Sequence, residues 1–79
     1  MNKKLADLLA DVFGLRPLDI TSELDKSEVD SWDSLKQMDL VMSLEREYGI
    51  TLDILDIVRI TSVAAIISVL NEKGVTLAD

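Results

Sequence analysis

The sequence predicts an all-α domain, a small four-helix bundle of three longer helices plus one short one, and three observations predict it. Apolar residues recur at three- and four-residue intervals in three separate segments, the period of a helix buried on one face. Each segment runs into a glycine (Gly14, Gly49 and Gly74), the residue that most readily ends a helix in a left-handed conformation. No stretch shows the apolar/polar alternation of a half-buried strand. At 79 residues, the chain is expected to form a single domain over residues 1–79.

In the first segment Leu5, Leu8, Leu9, Val12 and Phe13 define an amphipathic helix, with Asn2 as its cap and Gly14 as its stop. Residues 14–33 show no sustained period. Leu15, Leu18, Ile20, Leu24 and Val29 recur along them, so the expectation is an ordered loop pinned to the core by these anchors, with room for a short helical turn. A connection of this length is uncommon unless it has such structure of its own. The second helix is expected from about Ser34 to Tyr48, ended by Gly49. Residues 50–60 are apolar but interrupted by Asp53, Asp56 and Arg59, which suits a short helix or turn. Val63, Ile66, Ile67 and Leu70 define the last helix. Thr61 or Ser62 would cap it, Lys73 would suit its C-terminal dipole, and Gly74 would stop it.

Composition excludes several functions. There is no histidine and no cysteine, which removes the usual zinc ligands, the commonest general base and any disulfide. A reducing cytoplasm suits such a chain. The formal charge is −7, and it is uneven. Lys3, Lys4 and Arg16 outnumber Asp7 and Asp11 over residues 1–16, whereas eleven acids over residues 17–56 face only Lys26, Lys36 and Arg46, a net of −8 there. That field repels nucleic acid and anionic lipid and attracts basic protein surfaces. The apolar run from Val63 to Leu70 is far short of the roughly 20 residues that span a bilayer, so no membrane span is expected.

The second helix carries one apolar stripe too many. At about 100° per residue, Leu40, Val41, Leu44 and Tyr48 share one arc, an ordinary core face. Leu35, Met38 and Met42 share another, with Glu45 between the arcs on one side and Asp39 and Arg46 bordering the stripe on the other. A small bundle buries one face of each helix. The second stripe therefore either packs under the long loop or stays exposed as a recognition strip, for which flexible methionines suit several partners.

Ser34 stands where the loop becomes this helix. Its plain role is capping: Ser34 and Gln37 fit a capping box, although Asp33 could cap equally well. Beyond that, Asp33-Ser34-Leu35, followed by Met38-Asp39-Leu40-Val41-Met42-Ser43-Leu44-Glu45-Arg46-Glu47-Tyr48-Gly49-Ile50, closely resembles the acyl carrier protein family, as does the spacing from Tyr48 to Ile60-Thr61-Ser62-Val63. The resemblance covers about residues 28 to 70. It implies an acyl-carrier-protein-like fold with Ser34 as the attachment point of 4'-phosphopantetheine taken from coenzyme A. It also implies a phosphopantetheinyl transferase (a holo-acyl-carrier-protein synthase) as partner, together with acyl-transferring and condensing enzymes of fatty-acid or polyketide type. Their basic docking surfaces would meet Asp33, Leu35, Met38, Asp39, Met42 and Glu45. On this reading the protein is a carrier and not an enzyme, with no catalytic and no metal-binding residues, and it is expected to be a monomer.

Three departures from the family's pattern suggest a specialised carrier. Lys36 stands where the family commonly has an acid, Trp32 where fatty-acid carriers have a small residue, and aliphatic pairs replace much of the charge over residues 53–58. A serine hydrolase fails for want of a histidine and of glycines flanking Ser34. Asp25, Glu28, Asp30 and Asp33 miss the ligand spacing of a calcium loop. The remaining alternative is a small acidic interaction module that carries no prosthetic group.

Overall fold

The computed structural model describes residues 1–78, and its helices are α1 (Lys3–Phe13), α2 (Ser34–Tyr48), α3 (Ile54–Arg59) and α4 (Val63–Glu72). The all-α expectation holds for fold class and element order. Both longer N-terminal helices start and stop where their sequence signals stand. The Asn2 side chain accepts from the Leu5 N–H, and Gly14 closes α1 at φ 69°. Gly49 closes α2 at φ 63° with its N–H on the Glu45 carbonyl. A side chain at either glycine would have to enter the left-handed region that L-residues avoid.

Leu5 and Leu9 of α1, Leu40 and Leu44 of α2, and Ile66 and Leu70 of α4 are fully buried in one core, with Phe13, Val41, Ile60 and Val63 around them. This burial is the main source of stability, at about 1.5–3 kcal/mol for each fully buried aliphatic side chain. Lys4 lies 3.4 Å from Glu47 and 5.0 Å above the Tyr48 ring, fastening the start of α1 to the end of α2.

The long connection is ordered, as its apolar anchors suggest, and contains two 3₁₀ turns, Pro17–Asp19 and Lys26–Glu28. Ile20 and Val29 are buried, and Leu15 and Leu24 pack against the core. Leu18 is not an anchor: it is 87% exposed, because it sits inside the first 3₁₀ turn, whose tight geometry presents it outward. Backbone bonds do the rest of the pinning. The Lys26 N–H donates to the Thr61 carbonyl (2.8 Å) and the Val63 N–H to the Leu24 carbonyl (2.9 Å). Asp25 and Ser62 thus form an isolated antiparallel bridge, a non-local pairing that helix-period analysis does not see. The Ser31 hydroxyl donates to the Phe13 carbonyl at 2.9 Å, satisfying the last turn of α1.

Residues 50–60 resolve into the short helix α3. Six residues are too few to be helical on their own, so tertiary bonds hold it. Asp53 and Asp56 cap it reciprocally, each side chain accepting from the other's N–H at 2.9 and 3.1 Å. Lys73 lies 2.8 Å from the buried Asp56. Arg59 grips Glu72 with two bonds of 2.8 and 2.7 Å. Of the two expected caps for α4, Ser62 is the one used, its hydroxyl accepting from Ala65. Lys73 serves Asp56 rather than the dipole of α4 alone.

The hydrogen bond from Lys73 holds the Asp56 carboxyl below the usual carboxylate range, aided by the backbone bond with Asp53. A carboxyl whose folded value is depressed stabilises the fold fully above its unfolded value, about 3.9, and loses that contribution as pH falls toward the folded value. The thermal midpoint of the wild type should therefore drop more steeply than that of Asp56→Asn as pH is lowered from about 5 to about 3. Circular dichroism melts across that range provide the check; identical slopes would mean that the pair contributes nothing. Leu9→Ala, at a fully buried position, should cost about 2–5 kcal/mol in chemical denaturation.

Candidate functional site

Three consecutive residues at the start of α2 point in three directions. Trp32 turns inward and is only 3% exposed. Asp33 turns back on its own helix as the N-cap, its carboxylate accepting from the Lys36 N–H at 2.9 Å. Ser34, the first helical residue, faces solvent. The capping box of Ser34 with Gln37 is therefore not formed. Asp33 takes the cap because its side chain has the reach and its backbone the extended conformation (φ −104°, ψ −169°) that the N-cap needs.

Released from capping, the Ser34 hydroxyl makes no hydrogen bond among the described residues, and neither do the N–H groups of Ser34 and Leu35. The first turn of an α-helix presents such donors with the positive end of the helix dipole behind them. A nucleophilic oxygen free in solvent, beside two unpaired N–H donors, fits a phosphodiester esterified to Ser34. Ser34 is an exposed residue, open to a modifying enzyme.

The second apolar stripe of α2 is exposed and does not lie beneath the loop: Leu35 is 79%, Met38 49% and Met42 58% open to solvent. Asp39 stands beside it, 3.9 Å from Lys36. Glu45 is half-buried and commits one oxygen to the Leu52 N–H at 2.8 Å. Five of the six residues expected to meet partners, namely Asp33, Leu35, Met38, Asp39 and Met42, thus lie exposed from the N-cap of α2 to just past its middle.

Two features of the site go beyond the sequence reading. Ile54, Leu55 and Val58 of α3 are exposed as well; the aliphatic pairs of residues 53–58 are visible in the sequence, but only the fold shows that Ile57 alone among them turns inward. Gln37, read as a capping partner, instead bridges elements. It accepts from the Trp32 indole N–H at 2.6 Å and donates to the carbonyls of Ile57 (2.9 Å) and Ile60 (3.2 Å).

Comparison with known proteins agrees with this geometry. Residues 3–70 match the family described as "Phosphopantetheine attachment site". The chain is 32% identical to the polyketide-8 synthase acyl carrier protein 2 of Streptomyces avermitilis, over 90% of this chain and 82% of that one. The solution structure of a holo acyl carrier protein from Geobacter metallireducens superposes with a TM-score of 0.79 at 27% identity, covering 92% of this chain and 86% of that one.

The cap gives the site its own stability test. Asp33→Ala should cost about 1 kcal/mol, within a range of about 0.5–2, while Ser34→Ala should change stability by less than about 0.5 kcal/mol, as expected of a surface side chain without partners. Urea unfolding of both variants checks this; the reverse order would return the cap to Ser34.

Proposed function

Because the chain belongs to the acyl carrier protein family of phosphopantetheine attachment domains, we propose that Ser34 is the residue to which the prosthetic group is joined. The protein is an acyl carrier protein and not an enzyme, and it bears covalent 4'-phosphopantetheine. That group supplies the thiol that a chain without cysteine lacks, and acyl cargo travels on it as a thioester. The observation that carries the assignment to Ser34 is its free, solvent-facing hydroxyl at the first position of α2, beside the two unpaired N–H groups. In the modification the Ser34 oxygen loses its proton and bonds to the phosphorus that bears the pantetheine arm of coenzyme A, the pyrophosphate P–O bond breaks and adenosine 3',5'-bisphosphate leaves, and the helix N-terminus stabilises the resulting phosphodiester.

The carrier interacts with a phosphopantetheinyl transferase and with biosynthetic enzymes. Among those, we assign docking to Asp33, Leu35, Met38, Asp39, Met42 and Glu45. The stripe would enter an apolar groove, and the carboxylates would meet arginine and lysine on a basic rim. Acyl-transferring and condensing enzymes of fatty-acid or polyketide type fit that description, and the Streptomyces relative supports the polyketide side. No helix among the described residues is long and apolar enough to cross a membrane. We take the protein to act as a monomer in the cytoplasm, where coenzyme A and a reduced arm thiol are both at hand.

Incubation with coenzyme A and a broad-specificity phosphopantetheinyl transferase should add one arm to the wild type and none to Ser34→Ala, read by intact mass. Modification of Ser34→Ala would place the attachment elsewhere. Met38→Glu should keep the helical circular dichroism signal yet slow acyl transfer by partners about tenfold, roughly 1.4 kcal/mol, less than full burial of a methionine is worth. Loss of helicity in that variant would make Met38 a core residue.

A further inference from the structure

Gln37 lies one turn along α2 from Ser34, and its side chain spans the seam between α2 and α3. Its amide N–H₂ group donates to the carbonyls of Ile57 and Ile60, in the last turn of α3 and just beyond it, while its oxygen accepts from the indole of Trp32. The indole lies 4.4 Å, ring to ring, from Phe13 and is almost wholly buried. Behind this bridge the interior is filled: Leu40, Leu44, Ile60, Val63 and Ile66 have essentially no exposure.

Cargo on an arm at Ser34 can lie outside the bundle or thread between α2 and α3 into the core. Threading there would part Gln37 from two carbonyls and from the indole. All three bonds form in a part-buried setting, where a polar group left without a partner is costly. The close-packed interior behind offers no ready space for extra methylenes. Resting on Ser34 as the attachment point, we propose that Trp32 and Gln37 bolt the seam between α2 and α3 and make this a carrier of short or polar-substituted acyl groups that ride outside the bundle. Long alkyl chains gain nothing from this fold, because each methylene stays in water.

The test is chain-length dependence on the intact protein. Wild type, Gln37→Ala and Gln37→Met are loaded from butyryl-, octanoyl- and dodecanoyl-coenzyme A by the transferase, with intact mass reporting loading. Thioester cleavage by hydroxylamine is then timed, and the emission of Trp32, the only tryptophan, is recorded. For the wild type, cleavage rates should agree within about twofold across the three chains, as for cargo equally open to solvent, with unchanged emission. In the Gln37 variants the seam is unbolted, so dodecanoyl cleavage should slow at least about fivefold relative to butyryl, the mark of a partly buried thioester. Gln37→Met keeps the side-chain length and covers any loss of folding in Gln37→Ala. A wild type that protects dodecanoyl, or whose emission shifts with chain length, overturns the bolt while leaving Ser34 intact. Equal rates in all three proteins overturn the role of Gln37. A wild type that never loads overturns the Ser34 assignment and this inference together.

Discussion

The turn that opens α2 constrains the rest of the molecule. Asp33 takes the N-cap, and an N-cap residue needs extended backbone while the next residue must be helical. That change of conformation between adjacent residues sends Trp32 into the core and Ser34 into solvent, although only Asp33 separates them. The buried indole then anchors the end of the long connection, and the outward serine presents its oxygen beside two unpaired N–H groups. The anchor and the proposed attachment point are consequences of one backbone event. The polar demands are also met without Ser34: Asp33 satisfies the cap, and Gln37 satisfies the indole. The serine owes nothing to the fold and is free for chemistry.

A second constraint is the dependence of α3 on its neighbours. With three exposed aliphatic residues and a single inward one, this helix gains little from burial. Charge and hydrogen bonds hold it instead: the reciprocal Asp53–Asp56 cap, the Lys73 and Arg59 pairs to and from α4, and the Gln37 bridge to α2. Such contacts are directional and are lost singly, whereas an apolar core fails as a whole. The edge of the bundle nearest the Gln37 bridge is therefore tied by a small number of polar bonds, while α1, α2 and α4 share the apolar core.

Function follows from this division. A carrier must present one reactive position to several enzymes without binding any of them tightly. An exposed stripe with flexible methionines, next to acids, suits brief contacts with different basic grooves. The surplus negative charge over residues 17–56 favours encounter with basic surfaces, an effect that weakens with salt. On the proposed docking reading the work of these residues is orientation and recognition, and the thiol chemistry belongs to the group attached.

Helices α1, α2 and α4, the caps at Asn2 and at Thr61 or Ser62, and the glycine ends were legible in the sequence because local periodicity and local capping determine them within a few residues. The two stripes of α2 were legible for the same reason. Whether the second stripe lies under the loop or faces water was not settled by periodicity, since that depends on where the loop lies, and the loop is placed by contacts such as Lys26 with Thr61 that join distant residues. Leu18 was misjudged because apolar character alone does not tell an anchor from an exposed position in a tight turn. Gln37 fitted a local capping pattern, yet its partners stand 20 and 23 residues away. By itself the sequence determined what each segment would become, through forces acting over one or two helical turns. The tertiary structure alone decided which side chains are spent on holding the segments together and which, like Ser34, are left to act, because that choice is settled by groups brought close only when the chain has folded.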